Sequence, residues 1–100
     1  MSFIQEHSSA ILDLCKKHKV KDLYAFGSVL TKDFNSNSDI DFIVNFQPIE
    51  VSEYVDNYFD LKFSLEEILE RPIDLLEEQA IKNPYLKENI NQQKELVYGH

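Results

Sequence analysis

The most constraining feature of this sequence is a pair of aspartates at the start of an apolar segment. Asp39 and Asp41 are two positions apart, and residues 40–46 are mostly apolar up to Gln47 and Pro48, which predicts a strand. Side chains two apart in a strand project from the same face, so the two carboxylates are forced together. At ~4 Å and an effective dielectric of about 20, such a pair repels by about 4 kcal/mol. The pattern therefore favours a bound cation, and hard carboxylate oxygens favour magnesium.

Apolar periodicity and turn residues divide the rest of the chain into three helices, two further strands and a loop. The predicted helices are an amphipathic segment from Ser2 to about His18, a long helix over residues 51–70 that stops before Pro72, and a last helix that begins at Asn83 and Pro84 and carries Leu86, Ile90 and Val97 on its apolar side. The further strands are residues 22–27 and 73–76, and the loop is residues 29–38, after at most a short helical turn beginning at Ser28.

The connections between the strands predict how they pair. A loop of about eleven residues joins the first two strands, which can therefore pair antiparallel and bring Gly27 beside Asp39. The long helix between the second and third strands favours a parallel, right-handed crossover, which brings Asp74 to the same edge as Asp39 and Asp41. The expected fold class is α/β, more narrowly α+β, with a small mixed sheet and helices packed mainly on one face.

Gly27 and Ser28 have a chemical use at that edge. Glycine permits a phosphate to approach the backbone closely, and Ser28, at the start of a short helix, offers N–H and hydroxyl donors to anionic oxygens. Taken alone, Gly27 and Ser28 are more simply a strand-ending turn, and Asp39, Asp41 or Asp74 alone is more simply a solvated acid. Their predicted meeting at one edge favours a site for a metal and a triphosphate.

The charge balance excludes several classes of partner. Eighteen acidic and ten basic residues give a net charge of −8, which disfavours direct contact with nucleic acid or an anionic membrane. The lone Cys15 has apolar neighbours and is expected to be a buried hydrophobe, and with no secretion signal the expected location is the cytoplasm. Residues 1–100 have room for a single domain, so the choice of acceptor would lie with a partner.

Four segments of the sequence together resemble a known family. They are Gly27-Ser28 followed after ten residues by Asp39-Ile40-Asp41, the strand Leu23-Tyr24-Ala25-Phe26 before it, Arg71-Pro72-Ile73-Asp74-Leu75, and Asn83-Pro84-Tyr85-Leu86. The first is similar to the signature of the DNA polymerase β-like nucleotidyltransferase superfamily. All four, spread over nearly the whole chain, resemble its minimal nucleotidyltransferase (MNT) branch.

The resemblance implies a polymerase β-like nucleotidyltransferase fold and chemistry with two magnesium ions. Asp39 and Asp41 would bind metal, and Asp74 would be the third ligand and an acceptor of the attacking hydroxyl's proton. Metals in such pairs stabilise both the entering and the departing oxygen of an in-line displacement. Relatives often have Arg after the Gly-Ser pair where this chain has Val29. Lys32 is a candidate replacement for the nucleotide contact, although an unpaired loop lysine is the plainer interpretation.

The resemblance also implies a biological role. MNT proteins of this size are typically antitoxins of a HEPN-domain ribonuclease toxin, with which a hetero-oligomer is expected, and some transfer AMP from ATP to a tyrosine of that toxin. Two alternatives stay open at this point: an antitoxin that acts by binding alone, and a nucleotidyltransferase with a small-molecule acceptor. The short chain leaves no second domain to enclose a small molecule.

Overall fold

The structure, a computed structural model, describes residues 2–27 and 38–99 of the chain. Within them lie four α-helices and four strands, with a short 3-10 helix, Glu78–Ala80, after the third strand. The helices are α1 (Ser2–Gln5), α2 (Ser8–Lys17), α3 (Val51–Leu69) and α4 (Pro84–Gln93), and the strands are β1 (Val20–Phe26), β2 (Ile40–Phe46), β3 (Ile73–Glu77) and β4 (Glu95–Tyr98). The expected loop at residues 29–38 falls largely outside the described residues.

The four strands form one mixed sheet in the order β3-β2-β1-β4. β1 pairs antiparallel with β2, and β2 pairs parallel with β3 through the α3 crossover, which confirms both predicted pairings. β4 adds antiparallel to the free side of β1. The starting ends of β2 and β3 therefore lie together with the finishing end of β1.

The hydrophobic core lies between one face of this sheet and the helices. α2 and α3 contact each other and the sheet, as the prediction of helices mainly on one face requires. Core side chains from the sheet alternate along β2, β3 and the second half of β1: Leu23 and Ala25, Ile40, Phe42 and Val44, Ile73 and Leu75. Val20, before the register shift in β1, is also in the core. From the helices they are Ile4, Ile11, Cys15, Leu61, Leu65 and Leu69. Alternation leaves the intervening strand residues on the second face of the sheet.

The predicted first helix is interrupted. α1 ends at Gln5 and α2 begins at Ser8, with a turn at Glu6 and His7 between them. The His7 amide donates to the Ile4 carbonyl at 3.0 Å, which is the tighter turn that often ends a helix. Ile4 and Ile11 still reach the core on the same side, so the apolar pattern was right and the continuous helix was wrong.

The end of the chain also differs from the prediction. Asn83 caps α4 as expected, because its side-chain oxygen accepts from the amides of Tyr85 at 2.9 Å and Leu86 at 3.2 Å. Val97, however, belongs to β4 and not to the apolar side of the last helix. The helix stops at Gln93, where the backbone becomes extended at Lys94. In the part of the chain that the structure describes, no helix is long and apolar enough to cross a membrane.

Candidate active site

Asp41 and Asp74 are direct register partners across the parallel pair β2–β3. Their neighbours along the strands, Ile40, Phe42, Ile73 and Leu75, are all buried in the core. Because side chains alternate, both carboxylates lie on the second face, on strands about 4.8 Å apart. Crossover geometry and alternation together bring these two predicted site residues side by side.

Asp39 lies just before β2 and is exposed. The next amide, of Ile40, donates to the carbonyl of Pro72 at 3.0 Å, which holds the starting ends of β2 and β3 together. Burial raises the pKa of the Asp41 carboxyl, and the negative charges of Asp74 and then Asp39 raise it further. The Asp41 carboxyl thus lies within electrostatic reach of both other predicted acids.

Gly27 follows the last residue of β1, and Phe26 is the register partner of Asp41. The φ of Gly27 is +80°, and a Cβ placed on Gly27 would lie 2.6 Å from Oδ2 of Asp41. A side chain at this position would therefore meet both backbone strain and the aspartate, so only glycine lets the backbone lie this close to the Asp41 carboxylate. Ser28, Val29 and Lys32 lie outside the described residues.

A second polar cluster on the same face was not predicted from the sequence. The Lys94 ammonium lies 4.2 Å from the centre of the Tyr24 ring and 3.6 Å from the Glu78 carboxylate. Asn45 donates to Glu78 and to the buried Asp22, each at 2.8 Å. Lys94 reaches this face only because β4 pairs with β1, so no signal in the sequence pattern could have revealed the cluster.

The acids fit a magnesium ion by their chemistry. Among residues 2–27 and 38–99, no three or more His, Cys, Asp or Glu side chains are grouped closely enough to hold a metal ion, so the three predicted ligands do not form a closed cage. Magnesium commonly binds proteins through one or two carboxylates and takes its other oxygens from water and substrate phosphates. Two adjacent carboxylates beside Gly27 match that requirement.

The chain matches a known family along most of its length. The family model for the nucleotidyltransferase domain matches residues 8–97, which include the first three strands and all but the last residue of β4. The chain belongs to this family. Nucleotidyltransferases transfer a nucleoside monophosphate, and the arrangement of acids beside Gly27 on the second face of the sheet is compatible with that chemistry.

Relatives of this nucleotidyltransferase occur in Methanocaldococcus jannaschii. One is 38% identical over 85 residues, which cover 85% of this chain and 82% of the relative. Another is 33% identical over 95 residues, covering 95% of this chain and 89% of the relative. Both are named, provisionally, as protein adenylyltransferases.

Solved structures confirm the fold class. A structure named provisionally as a minimal nucleotidyltransferase matches with a TM-score of 0.75 and 26% identity, covering 91% of this chain and 89% of that one. A toxin-antitoxin complex with AMP-PNP matches with a TM-score of 0.71 and 22% identity, covering 93% of this chain and 73% of that one. A complex of a tri-AMPylated HEPN toxin from Shewanella oneidensis with an MNT antitoxin matches with a TM-score of 0.66 and 20% identity, covering 97% of this chain and 73% of that one. The resemblance to minimal nucleotidyltransferases is therefore confirmed, and the two complexes add support for the fold.

Proposed function

We propose that this nucleotidyltransferase is a protein adenylyltransferase that transfers AMP from ATP to a tyrosine hydroxyl of a HEPN-domain ribonuclease toxin and thereby acts as its antitoxin. The names of the Methanocaldococcus jannaschii relatives support a protein acceptor. The AMP-PNP complex and the AMPylated toxin complex, whose folds match, support ATP as donor and a HEPN protein as partner. The observation that carries the proposal is the register pairing of Asp41 with Asp74 beside Gly27.

The nucleotide would lie on the second face of the sheet, at the finishing end of β1. Gly27 has no side chain, so the phosphates can approach the backbone there. We assign Ser28 and Lys32 to the same phosphates, as a donor of hydrogen bonds and as a positive charge. Asp39 and Asp41 are the proposed metal ligands, with Asp74 as the third. Magnesium at these carboxylates would supply positive charge to the oxygens of the α-phosphate and of the leaving pyrophosphate.

The reaction is an in-line displacement at the α-phosphorus. The acceptor oxygen forms a bond to that phosphorus, the bond to the bridging oxygen of the pyrophosphate breaks, and its electron pair leaves with the pyrophosphate. A phenolic hydroxyl has a pKa of about 10, so its proton must be accepted as the bond forms. Asp74 is exposed, and we assign it that role.

The acceptor would come from the partner protein. We propose that residues 1–100 act as one catalytic domain in a hetero-oligomer with the toxin, in the cytoplasm. The net charge of −8 supports a protein acceptor over direct contact with nucleic acid.

Intact mass measurement tests the proposal. The purified protein, ATP, magnesium and the HEPN-domain protein that co-purifies with it should increase the toxin's mass by whole adenylate units. Asp41→Asn and Asp74→Asn should abolish the increase, while the exposed Asp13→Asn on α2 should not. An unchanged toxin mass with the wild-type protein would refute the transfer.

The same samples distinguish the two alternatives. An antitoxin that acts by binding alone would inhibit the ribonuclease without ATP, and its Asp41→Asn variant would inhibit equally well. A small-molecule nucleotidyltransferase would release pyrophosphate only when a small hydroxylated acceptor, such as an aminoglycoside, is added. Inhibition that needs ATP, magnesium and Asp41 would support the protein acceptor.

A further inference from the structure

The outward side of α3 carries an apolar line that the core does not use. Val51, Val55, Phe59 and Phe63 recur every fourth residue, and their exposed fractions are 89%, 59%, 45% and 56%. Residues four apart lie on neighbouring turns of a helix, so the four side chains form a continuous stripe about 18 Å long. We call these four residues the α3 stripe. Phe59 and Phe63 stack with their ring centres 5.8 Å apart.

A groove of about 340 Å³ runs beside the stripe, between α3 and β3. Val55 and Phe59 belong both to the stripe and to the wall of the groove, and Leu75, Leu76 and Ala80 line the opposite side. The α3 stripe and this groove therefore form one continuous apolar surface. An apolar surface of this kind, exposed on one face of a helix, is typical of a binding site for another protein.

The hydrogen bonds in the groove favour a helix over a strand as the occupant. The Tyr58 hydroxyl donates to the carbonyl of Leu75, and the Tyr54 hydroxyl donates to the Glu77 carboxylate. β3 is the edge strand of the sheet, and an added strand would need its outward carbonyls. Because Tyr58 already uses the carbonyl of Leu75, the groove instead offers apolar side-chain contacts, which are what an amphipathic helix provides.

Charge identifies the kind of helix. Asp56, Asp60 and Glu67 are exposed on α3 along the side of the stripe that is turned away from the core. A second copy of this acidic chain would set these carboxylates against each other, which disfavours a symmetric pair through this surface. A helix with Lys or Arg beside its apolar ridge would complement both the apolar stripe and the acidic residues next to it.

We propose that the α3 stripe and its groove bind an amphipathic helix of the acceptor protein, one with an apolar ridge flanked by basic residues. Leu75 lines the groove and directly follows Asp74 on the edge strand β3, and the two side chains lie on opposite faces of the sheet, so a protein bound in the groove lies across the β3 edge from the proposed proton acceptor. The identification of the bound protein with the acceptor rests on the proposed function. The assignment of the docking surface, and of the chemistry of the helix that it binds, does not rest on the proposed function.

The first test uses a synthetic helical peptide with a leucine ridge flanked by lysines, and a second peptide with glutamates in place of the lysines. Fluorescence anisotropy should show that the wild-type protein binds the first peptide and not the second. The double variant Phe59→Ser and Phe63→Ser should bind the first peptide at least about tenfold more weakly, since two large apolar contacts are lost. The matched control is Tyr85→Ser, an exposed aromatic residue on α4.

Phe63→Ser alone provides a second variant if the double variant unfolds, as circular dichroism would show. Equal binding of the peptide by the wild-type protein and the stripe variants, or no binding by any, would overturn the proposal. Self-association in sedimentation experiments that the same substitutions abolish would also overturn it, because a second copy would then cover the surface. Peptide binding needs no ATP, so if AMP transfer to the co-purifying protein fails while peptide binding persists, the proposed function fails and the docking surface stands.

Discussion

Asp41 and Asp74 face each other as register partners on two parallel strands, on the side of the sheet away from the core. Neither β2 nor β3 alone would create the pair, since each strand contributes one acid and the α3 crossover sets their alignment. Asp41 is half-buried, and its carboxyl is held near the negative charges of Asp74 and Asp39. The protein therefore keeps like charges together at a cost in stability when no cation is bound.

The first prediction is that Asp41→Asn stabilises the metal-free protein at neutral pH. Burial, Asp74 and Asp39 raise the pKa of the Asp41 carboxyl above its ordinary value of 3.8, so the folded state holds this proton more strongly than the unfolded state. The contribution to stability is complete below 3.8 and is lost as the pH rises through the folded-state pKa. The variant should gain about 0.2–1 kcal/mol at neutral pH, the range of partly exposed charge pairs.

Thermal unfolding in the presence of a chelator measures this effect across pH. The gain from Asp41→Asn should shrink to nothing in acid, where the wild-type carboxyl is already neutral. Asp13→Asn serves as the control for removal of an exposed acid. A gain of the same size at all pH values would show that the charge of Asp41 is not its cause.

The second prediction concerns Gly27. Its φ is +80°, and a methyl carbon added at this position would lie 2.6 Å from Oδ2 of Asp41, so Gly27→Ala introduces strain and displaces the carboxylate. We expect a loss of about 1–2 kcal/mol, the cost of a left-handed backbone for a residue with a side chain. Nucleotide binding should fall as well, because Asp41 and the phosphate approach are both disturbed.

Gly99→Ala is the matched control. Gly99 has a φ of +111°, and a Cβ there would lie 2.7 Å from the carbonyl oxygen of Lys21, so this variant should also lose stability. Gly99 follows β4 at the end of the sheet away from Asp41, so the Gly99→Ala variant should bind ATP as tightly as the wild-type protein. Chemical denaturation and ATP titration of both variants measure the two effects, and equal losses of ATP affinity would contradict a special role for Gly27.

Much of the site could be predicted because it depends on regular rules. Alternation along β2 and the handedness of the α3 crossover were sufficient to predict that Asp41 and Asp74 would lie side by side. The bounds of β2 were predicted correctly, since apolar residues begin at Ile40 and Pro48 follows the strand. These inferences need only local pattern and one topological rule.

The remaining features depend on tertiary contacts. β4 has four residues, of which Glu95 and Leu96 are exposed, so its pattern is too short and too polar to compete with the preceding helix. Val51 and Val55 follow the helical apolar period of α3, yet they are exposed. Periodicity identifies an apolar side of a helix but does not say whether the same chain or another protein covers it.

The third prediction concerns the thiol of Cys15. Complete burial in the core raises its pKa to about 12, so it stays protonated and shielded in the folded protein. Cys15 should not react with iodoacetamide at mildly alkaline pH until denaturant is added. Its raised pKa also predicts that stability falls as the pH rises through 9.0, the pKa of the unfolded thiol. Rapid labelling without denaturant, followed by mass spectrometry, would show that α2 opens locally.

The fourth prediction is that Lys94 and Glu78 are energetically coupled. Lys94, between α4 and β4, extends over the ring of Tyr24 to the Glu78 carboxylate, and both charged side chains are mostly shielded from water. Lys94→Met should keep the apolar part of the side chain but lose the ion pair and the contact with the ring, for a loss of about 1 kcal/mol. Lys87→Met, at an exposed lysine on α4, should change stability little.

A double-mutant cycle with Glu78→Gln separates the pair from the other contacts of each side chain. Glu78 also accepts from Asn45, which a glutamine can still do through its amide oxygen, so the cycle reports mainly the charge of the pair. A coupling energy of about 0.5–1 kcal/mol, reduced by added salt, is expected for a partly shielded ion pair. A coupling near zero would mean that Lys94 reaches the second face without its ion pair contributing to stability.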